Sequence, residues 1–85
     1  MSDMADFYLY STSACHLCET AKEILAPLLI QHGLQMDVID ISTDDQLIDK
    51  YGIRIPVLHC PGVENDLGWP FSLDDVQSWI ASVGL

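Results

Sequence analysis

Apolar and polar residues change their spacing along the first half of the chain, and each change marks a predicted element. Residues 7–11 are aromatic and apolar, which predicts a short strand. From His16 the apolar positions recur every three or four residues, which predicts a helix that ends at Gly33. Pro27 lies inside this pattern, and we expect it to bend the helix or to split off its last turn. The apolar positions of this helix are Leu17, Ala21, Ile24, Leu25, Leu28 and Leu29.

The second half of the chain predicts two further helices and three further strands. First come a strand at 35–41 and a short helix, which residues 42–45 cap and which ends near 51–52. A strand at 56–60, opened by a proline, and a weak strand at 66–71 follow. Ser72 then caps the last helix. The last helix has one apolar face, formed by Leu73, Val76, Trp79, Ile80 and Val83.

The order of elements is therefore β-α-β-α-β-β-α, an α/β arrangement. The first strand-helix-strand unit predicts two parallel strands. A short turn at Pro61-Gly62 separates the last two strands, which predicts an antiparallel pair. We expect one domain over residues 1–85, with a four-stranded mixed sheet and helices on both of its faces.

Charge limits the classes of partner. The chain has 85 residues, with 13 acidic residues against three bases, and a formal net charge of −10. The bases are Lys22, Lys50 and Arg54. Nucleic-acid binding needs a basic surface that displaces counterions from phosphates, and an anionic membrane surface is disfavoured for the same reason. No apolar run approaches the ~18 residues of a membrane-spanning helix, and the first six residues are polar and acidic, which is not typical of a signal peptide. We therefore expect a cytoplasmic location.

Three cysteines stand at positions 15, 18 and 60, too few for a disulfide scaffold. Cys15 and Cys18 form a C-x-x-C at the junction of the first strand and the first helix. Unpaired amides at a helix start stabilise a thiolate, the form that attacks disulfides. This spacing predicts Cys15 as the nucleophile and Cys18, one turn later, as the resolving thiol. His16 between them is either a thiolate stabiliser or a solvent-facing residue without a role.

These features together resemble the thioredoxin fold in its small glutaredoxin-like form, over residues 7–83. The resemblance rests on the order of elements, the C-x-x-C, the Ile55-Pro56-Val57 run and the Trp69-Pro70-Phe71 segment. It implies a thiol–disulfide oxidoreductase with a cis Ile55–Pro56 bond against the cysteines, although only roughly 5–6% of such bonds are cis in general. It also implies that the backbone of Ile55 binds a substrate peptide or glutathione. Arg54 either reaches a carboxylate of that ligand or pairs with an acidic residue of the chain itself, namely Asp44, Asp45 or Asp49.

Some features of the family's glutathione site are missing here. Thr12 and Ser13 stand where glutaredoxins usually carry a lysine, and the paired glycines after the third strand are missing, although Asp74-Asp75 remains at a helix start. Glutathione is therefore a candidate reductant or co-substrate, and no bound cofactor is expected. The expected partners are a protein or small-molecule disulfide and, as the source of electrons, glutathione or a thioredoxin-type reductase.

Two other functions remain open at this point. The cysteines could hold zinc or an iron–sulfur cluster, but zinc needs four ligands, and His59 and Cys60 are neighbours in a strand and point to opposite faces. The chain could instead be a binding module without turnover, which would not need both thiols. We expect Cys60 and Trp79 to be buried, and Trp69 and Phe71 to serve packing rather than ligand binding.

Overall fold

The computed structural model describes residues 5–13 and 15–85, and the predicted elements occur there in the predicted order. They are β1 (Phe7–Ser11), α1 (His16–His32), β2 (Met36–Asp40), α2 (Asp45–Tyr51), β3 (Val57–His59), β4 (Leu67–Gly68) and α3 (Leu73–Ser82). A 3₁₀ turn at Ile41–Thr43 precedes α2. Residues 1–4, the larger part of the segment considered above as a signal peptide, lie outside the described residues. Within the described ranges, no helix combines the length and the apolar character that crossing a membrane requires.

The four strands form one mixed sheet in the order β2-β1-β3-β4. β1 and β2 are parallel and β3 and β4 are antiparallel, both as the sequence predicted, and β3 is also antiparallel to β1. Tyr10 near the end of β1 pairs with Val57 at the start of β3. This register places the segment that leads into α1 and the segment that leads into β3 side by side at the same end of the strands.

Helices cover both faces of the sheet, and each face has its own apolar cluster. On one face, α1 and α3 pack against Phe7, Leu9 and Leu58, all fully buried. On the other face, a smaller cluster joins Tyr10 and Val57 to Ile41 and Tyr51, the last residue of α2. The alternation of residues along β1 and β3 thus divides the side chains between a large core and a small one.

Helix α1 runs unbroken through Pro27, so the expectation that it would split was wrong. A proline in a helix loses the bond from its own nitrogen to the carbonyl four residues earlier, here that of Glu23. Both residues are exposed, so water can satisfy that carbonyl. The helix ends as predicted at Gly33, whose φ of 64° is left-handed and which caps the last turn.

Helix α3 begins with a reciprocal cap, in which the Asp75 amide donates to the Ser72 hydroxyl and the Ser72 amide donates to the Asp75 carboxylate. We predict that Ser72→Ala lowers the free energy of unfolding by about 1 kcal/mol, because an amide of the first turn loses its acceptor. Ser78→Ala is the matched control, since Ser78 is exposed inside the same helix and alanine is the better helix former there. Urea unfolding measures both variants, and equal stabilities for the two would contradict the role of the cap.

Candidate functional site

The two cysteines of the C-x-x-C meet at the start of α1. Cys15 has extended backbone angles and is the N-cap, and its sulfur accepts a hydrogen bond of 3.0 Å from the Cys18 amide. The two residues form a disulfide, with their Cα atoms 5.2 Å apart. One turn of helix thus brings both sulfurs together at the end of the helix where the backbone donates.

The two cysteines differ in exposure. Cys15 is partly exposed, whereas the side chain of Cys18 is completely buried against the core face of α1. An incoming disulfide can reach only the sulfur of Cys15, while Cys18 is placed to attack Cys15 from within. This asymmetry is what a nucleophilic and a resolving thiol require.

The residues between the cysteines are both exposed, and for Leu17 this corrects the predicted apolar face. The buried stripe of α1 is Cys18, Ala21, Leu25 and Leu28, and Leu17 lies one residue away from it, with 48% of its surface exposed. His16 forms no side-chain hydrogen bond or ion pair with a described residue, so the structure gives no contact for its predicted role as thiolate stabiliser.

The Ile55–Pro56 peptide bond is cis, as predicted, and Pro56 is buried immediately before β3. The carbonyl of Tyr51 accepts from the amides of Arg54 at 2.8 Å and Ile55 at 3.1 Å, which ties this segment to the end of α2. The Ile55 amide is therefore occupied. No backbone amide of residues 5–13 or 15–85 donates to the Ile55 carbonyl, so that oxygen is the backbone group left for a ligand.

Arg54 does not pair with Asp44, Asp45 or Asp49, so this part of the prediction was wrong. Its Nη2 instead lies 3.7 Å from the position that a Cβ on Gly68 would take. The guanidinium thus extends along the sheet face over β4.

A polar network on the same face was not predicted from the sequence. Asp66 accepts from the Tyr51 hydroxyl at 2.9 Å with one carboxylate oxygen and contacts His59 Nδ1 at 2.8 Å with the other. The ring of Tyr10 stacks on the rings of both Tyr51 and His59, with centroids 4.6 and 5.6 Å away. One sequence feature could have indicated the contact between His59 and Asp66: they stand on either side of the Pro61-Gly62 turn, which joins an antiparallel pair of strands.

Burial raises the pKa values of both tyrosines in this network. For Tyr51 the hydrogen bond to Asp66 and the charge of that carboxylate raise the pKa further. For Tyr10, electrostatic interaction with Tyr51 and then with Asp66 raises the pKa further. Both phenols are therefore held protonated, with the Tyr51 hydroxyl as a donor to Asp66.

The third cysteine lies apart from this network and from the C-x-x-C. Cys60 is buried in the large core, and burial, with the nearby charge of Asp6, raises the pKa of its thiol. His59 belongs to the opposite face, as predicted. Among residues 5–13 and 15–85, no three histidine, cysteine or acidic side chains lie together as metal ligands.

The aromatic residues near α3 serve packing. Trp79 is buried in the core and its indole nitrogen donates to the Asn65 carbonyl. Phe71 is buried, and Trp69 packs edge-on against it with ring centroids 5.0 Å apart. The Trp69–Pro70 bond is also cis, which the sequence analysis did not predict.

A comparison with protein families identifies the relatives of this arrangement. Residues 6–81 match the model of a family described as "Glutaredoxin-like domain (DUF836)". The chain belongs to this glutaredoxin-like family. The match covers the whole sheet, the C-x-x-C and the cis-proline segment. No protein with a curated description matches the chain.

Solved structures agree with this assignment. The glutaredoxin-like domain is 33% identical to the protein XcR50 from X. campestris in its X-ray structure, with a TM-score of 0.78 over 89% of this chain and 96% of that one. A solution structure of XcR50 gives a TM-score of 0.76 at 34% identity, over 93% of this chain and 95% of that one. Protein Ne2328 from Nitrosomonas europaea is 24% identical, with a TM-score of 0.74 over 93% and 94% of the two chains. The fold is therefore the thioredoxin-like fold in its glutaredoxin-like form.

We predict that Tyr51→Phe lowers the free energy of unfolding at neutral pH by about 1 kcal/mol, because Asp66 loses a hydrogen-bond donor. Above about pH 10 the difference should shrink. The raised pKa of Tyr51 contributes stability that is present below the pKa of the unfolded phenol and is lost as the pH rises through the folded value.

Tyr8→Phe is the control, because its hydroxyl makes no hydrogen bond with a described residue. Chemical denaturation from pH 7 to pH 11 measures the three proteins. A Tyr51→Phe protein whose deficit stays constant across this range would contradict the assigned hydrogen bond.

Proposed function

We propose that this glutaredoxin-like chain is a thiol–disulfide oxidoreductase that uses Cys15 and Cys18. One observation carries the proposal: the partly exposed sulfur of Cys15 caps α1 and accepts from the Cys18 amide, directly beside the buried sulfur of Cys18. The family and the fold support a redox role of this kind.

The reaction starts from the reduced pair. The Cys15 thiolate attacks one sulfur of a substrate disulfide, a Cys15–substrate bond forms, and the other substrate sulfur leaves as a thiolate that takes up a proton. Cys18 then loses its proton and attacks the Cys15 sulfur, which releases the second substrate thiol. Two electrons have passed to the substrate, and the Cys15–Cys18 disulfide remains.

Charge near the cysteines is balanced at short range. Glu19 lies in the first turn of α1, where its charge would oppose a thiolate, but its carboxylate is 3.1 Å from the Lys22 ammonium. Both side chains are exposed, so this ion pair is weak. The hydrogen bond from the Cys18 amide at the helix start favours a thiolate on Cys15, and Glu19 opposes it.

The electron donor for the oxidised pair is glutathione or a thioredoxin-type reductase. The start of α3, which helps to hold glutathione in the wider family, is closed here by the Ser72–Asp75 cap, and Thr12 and Ser13 replace the usual lysine. The exposed Leu17 between the cysteines offers an apolar contact to a protein disulfide. We place this activity in a reducing compartment such as the cytoplasm, where a C-x-x-C is kept ready to donate electrons.

Equilibration in graded glutathione buffers, followed by acid quench, alkylation and mass analysis, tests the proposal. Cys15 and Cys18 should oxidise together, with a midpoint in the range of roughly −120 to −270 mV that covers dithiol oxidoreductases. A glutathione adduct on Cys15 identifies glutathione as a co-substrate. Two thiols that remain fully alkylatable throughout, or a native mass that includes a metal ion, would overturn the proposal.

We predict that Cys15→Ser abolishes reduction of a small disulfide, because it removes the accessible nucleophile. Cys18→Ser should retain the first step and accumulate a mixed disulfide on Cys15, visible as added mass that a reductant removes. Cys60→Ser is the matched control and should retain turnover, since Cys60 is buried apart from the pair. Full activity of the Cys15→Ser protein would show that the nucleophile is misassigned.

We also predict that the three thiols of the reduced protein react with iodoacetamide in a fixed order. Cys15 reacts first because it is partly exposed, and Cys18 and Cys60 react later because both are buried; for Cys60, burial also raises the pKa of its thiol. Timed alkylation with peptide mass mapping measures the order. Modification of Cys60 only after a denaturant is added supports the core position, and early modification contradicts it.

A further inference from the structure

A second concave site lies on the α2 face of the sheet, beside β3 and β4. It is an open groove of about 400 Å³, lined among others by Lys50, Arg54, His59, Glu64 and Asn65. His59 pairs with Tyr8 near the start of β1, whereas Cys15 follows the end of that strand. The groove therefore extends away from the cysteines. A volume of this size suits a small molecule.

The distribution of positive charge singles out this groove. The chain has three lysines and arginines in all, and two of them, Lys50 and Arg54, line it. The third, Lys22, is paired with Glu19. Neither Lys50 nor Arg54 forms an ion pair with any residue in the described ranges. In a chain with a net charge of −10, two cations that line one concave surface without an ion-pair partner among the described residues are the feature to be explained.

The positions of both cations are set by contacts that leave their donors free. The Lys50 ammonium stands 5.2 Å from the centroid of the Tyr51 ring. The Arg54 guanidinium lies over Gly68, whose missing side chain leaves the space above β4 open. Neither contact uses an N–H group, so both side chains keep their full hydrogen-bonding capacity for a ligand.

The carboxylate at the base of the groove is already satisfied. Asp66 uses one oxygen for the Tyr51 hydroxyl and the other for His59 Nδ1, and only 15% of its side chain is exposed. The contact with Nδ1 fixes the imidazole and leaves Nε2 as the nitrogen that can face a ligand. Glu64 is then the one acidic side chain of the groove without such a partner among the described residues.

We propose that this groove binds a small anionic ligand through Lys50 and Arg54, with carboxylate or phosphate oxygens as the recognised group. A guanidinium binds such oxygens in a two-pronged manner, and an ammonium adds a point charge. His59, whose Nδ1 faces Asp66, lines the groove beside them and presents Nε2 as an acceptor, so it does not donate to the anion. Anion binding is measured on the oxidised protein and uses neither thiol, so this site and the proposed redox activity are tested separately.

The test is an NMR titration of the oxidised protein with inorganic phosphate and, separately, with succinate, at ionic strength held constant with sodium chloride. Saturable shifts of the amides of Lys50, Arg54 and His59 are expected with at least one of the two anions. The anion that saturates at the lower concentration identifies phosphate or carboxylate as the preferred group. Shifts that rise linearly with both anions would overturn the proposal.

Charge variants make the test specific. Lys50→Gln and Arg54→Gln should each weaken binding by about tenfold, the usual effect of losing one charged hydrogen bond. Lys22→Gln is the matched control, since it removes the same charge elsewhere and should change the affinity less than about twofold, as expected for a distant screened charge. An equal loss in all three variants would mean attraction by net charge alone and would refute a specific site.

Glu64→Gln should change the anion affinity in the opposite direction. Removing the free carboxylate of the groove should tighten anion binding severalfold, which a damaged fold could not produce. No gain in the Glu64→Gln protein, when its spectrum is otherwise unchanged, would count against the proposed position of the ligand.

Discussion

The first turn of α1 is the constraint on which the redox site depends. A helix start leaves amides without partners, and serine, threonine or aspartate usually accepts from them. Here the acceptor is the sulfur of Cys15. A protonated thiol is a weak acceptor and a thiolate a much stronger one, so the helix is capped better when the sulfur is ionised. In the proposed reaction, the hydrogen bond that the disulfide sulfur accepts here would therefore stabilise both the helix start and the thiolate of Cys15.

The sheet places the second half of the site. Because β3 is antiparallel to β1, the start of β3 lies beside the end of β1. The cis peptide bond before β3 therefore lies at the same end of the sheet as the C-x-x-C. The Tyr51 carbonyl holds the approach to that bond through two amides. Helix α2, only seven residues long, thus orders the segment next to the cysteines while covering little of the sheet face.

Most of the fold could be predicted because its signals are local. Periodicity gave the helices and strands, Gly33 and Ser72 marked helix ends, and the C-x-x-C stood at a strand-to-helix junction. The split expected at Pro27 does not occur. The carbonyl that Pro27 leaves unpaired belongs to Glu23, an exposed residue, so water can satisfy it.

The polar network could not be read from spacing alone. Tyr51 and Asp66 are 15 residues apart in the sequence. They meet because the end of α2 packs on the sheet beside the start of β4. Arg54 Nη2 likewise lies close to Gly68, 14 positions later in the sequence, a contact that no local sequence pattern displays. Residue types and spacing indicated the chemistry that is proposed for the cysteines, while long-range contacts decided the surroundings of the other polar residues.

Tyr51 links the two regions of the molecule. Its carbonyl holds the segment before Pro56, its hydroxyl holds Asp66, and its ring lies under Lys50. This buried side chain has little freedom to move, because displacing its ring would break the hydrogen bond to the half-buried carboxylate of Asp66 and remove the ring from beneath Lys50. Tyr51 therefore supports both the segment next to the cysteines and the base of the groove. That shared support explains why a small domain can keep two ordered polar regions on a sheet with only one large core.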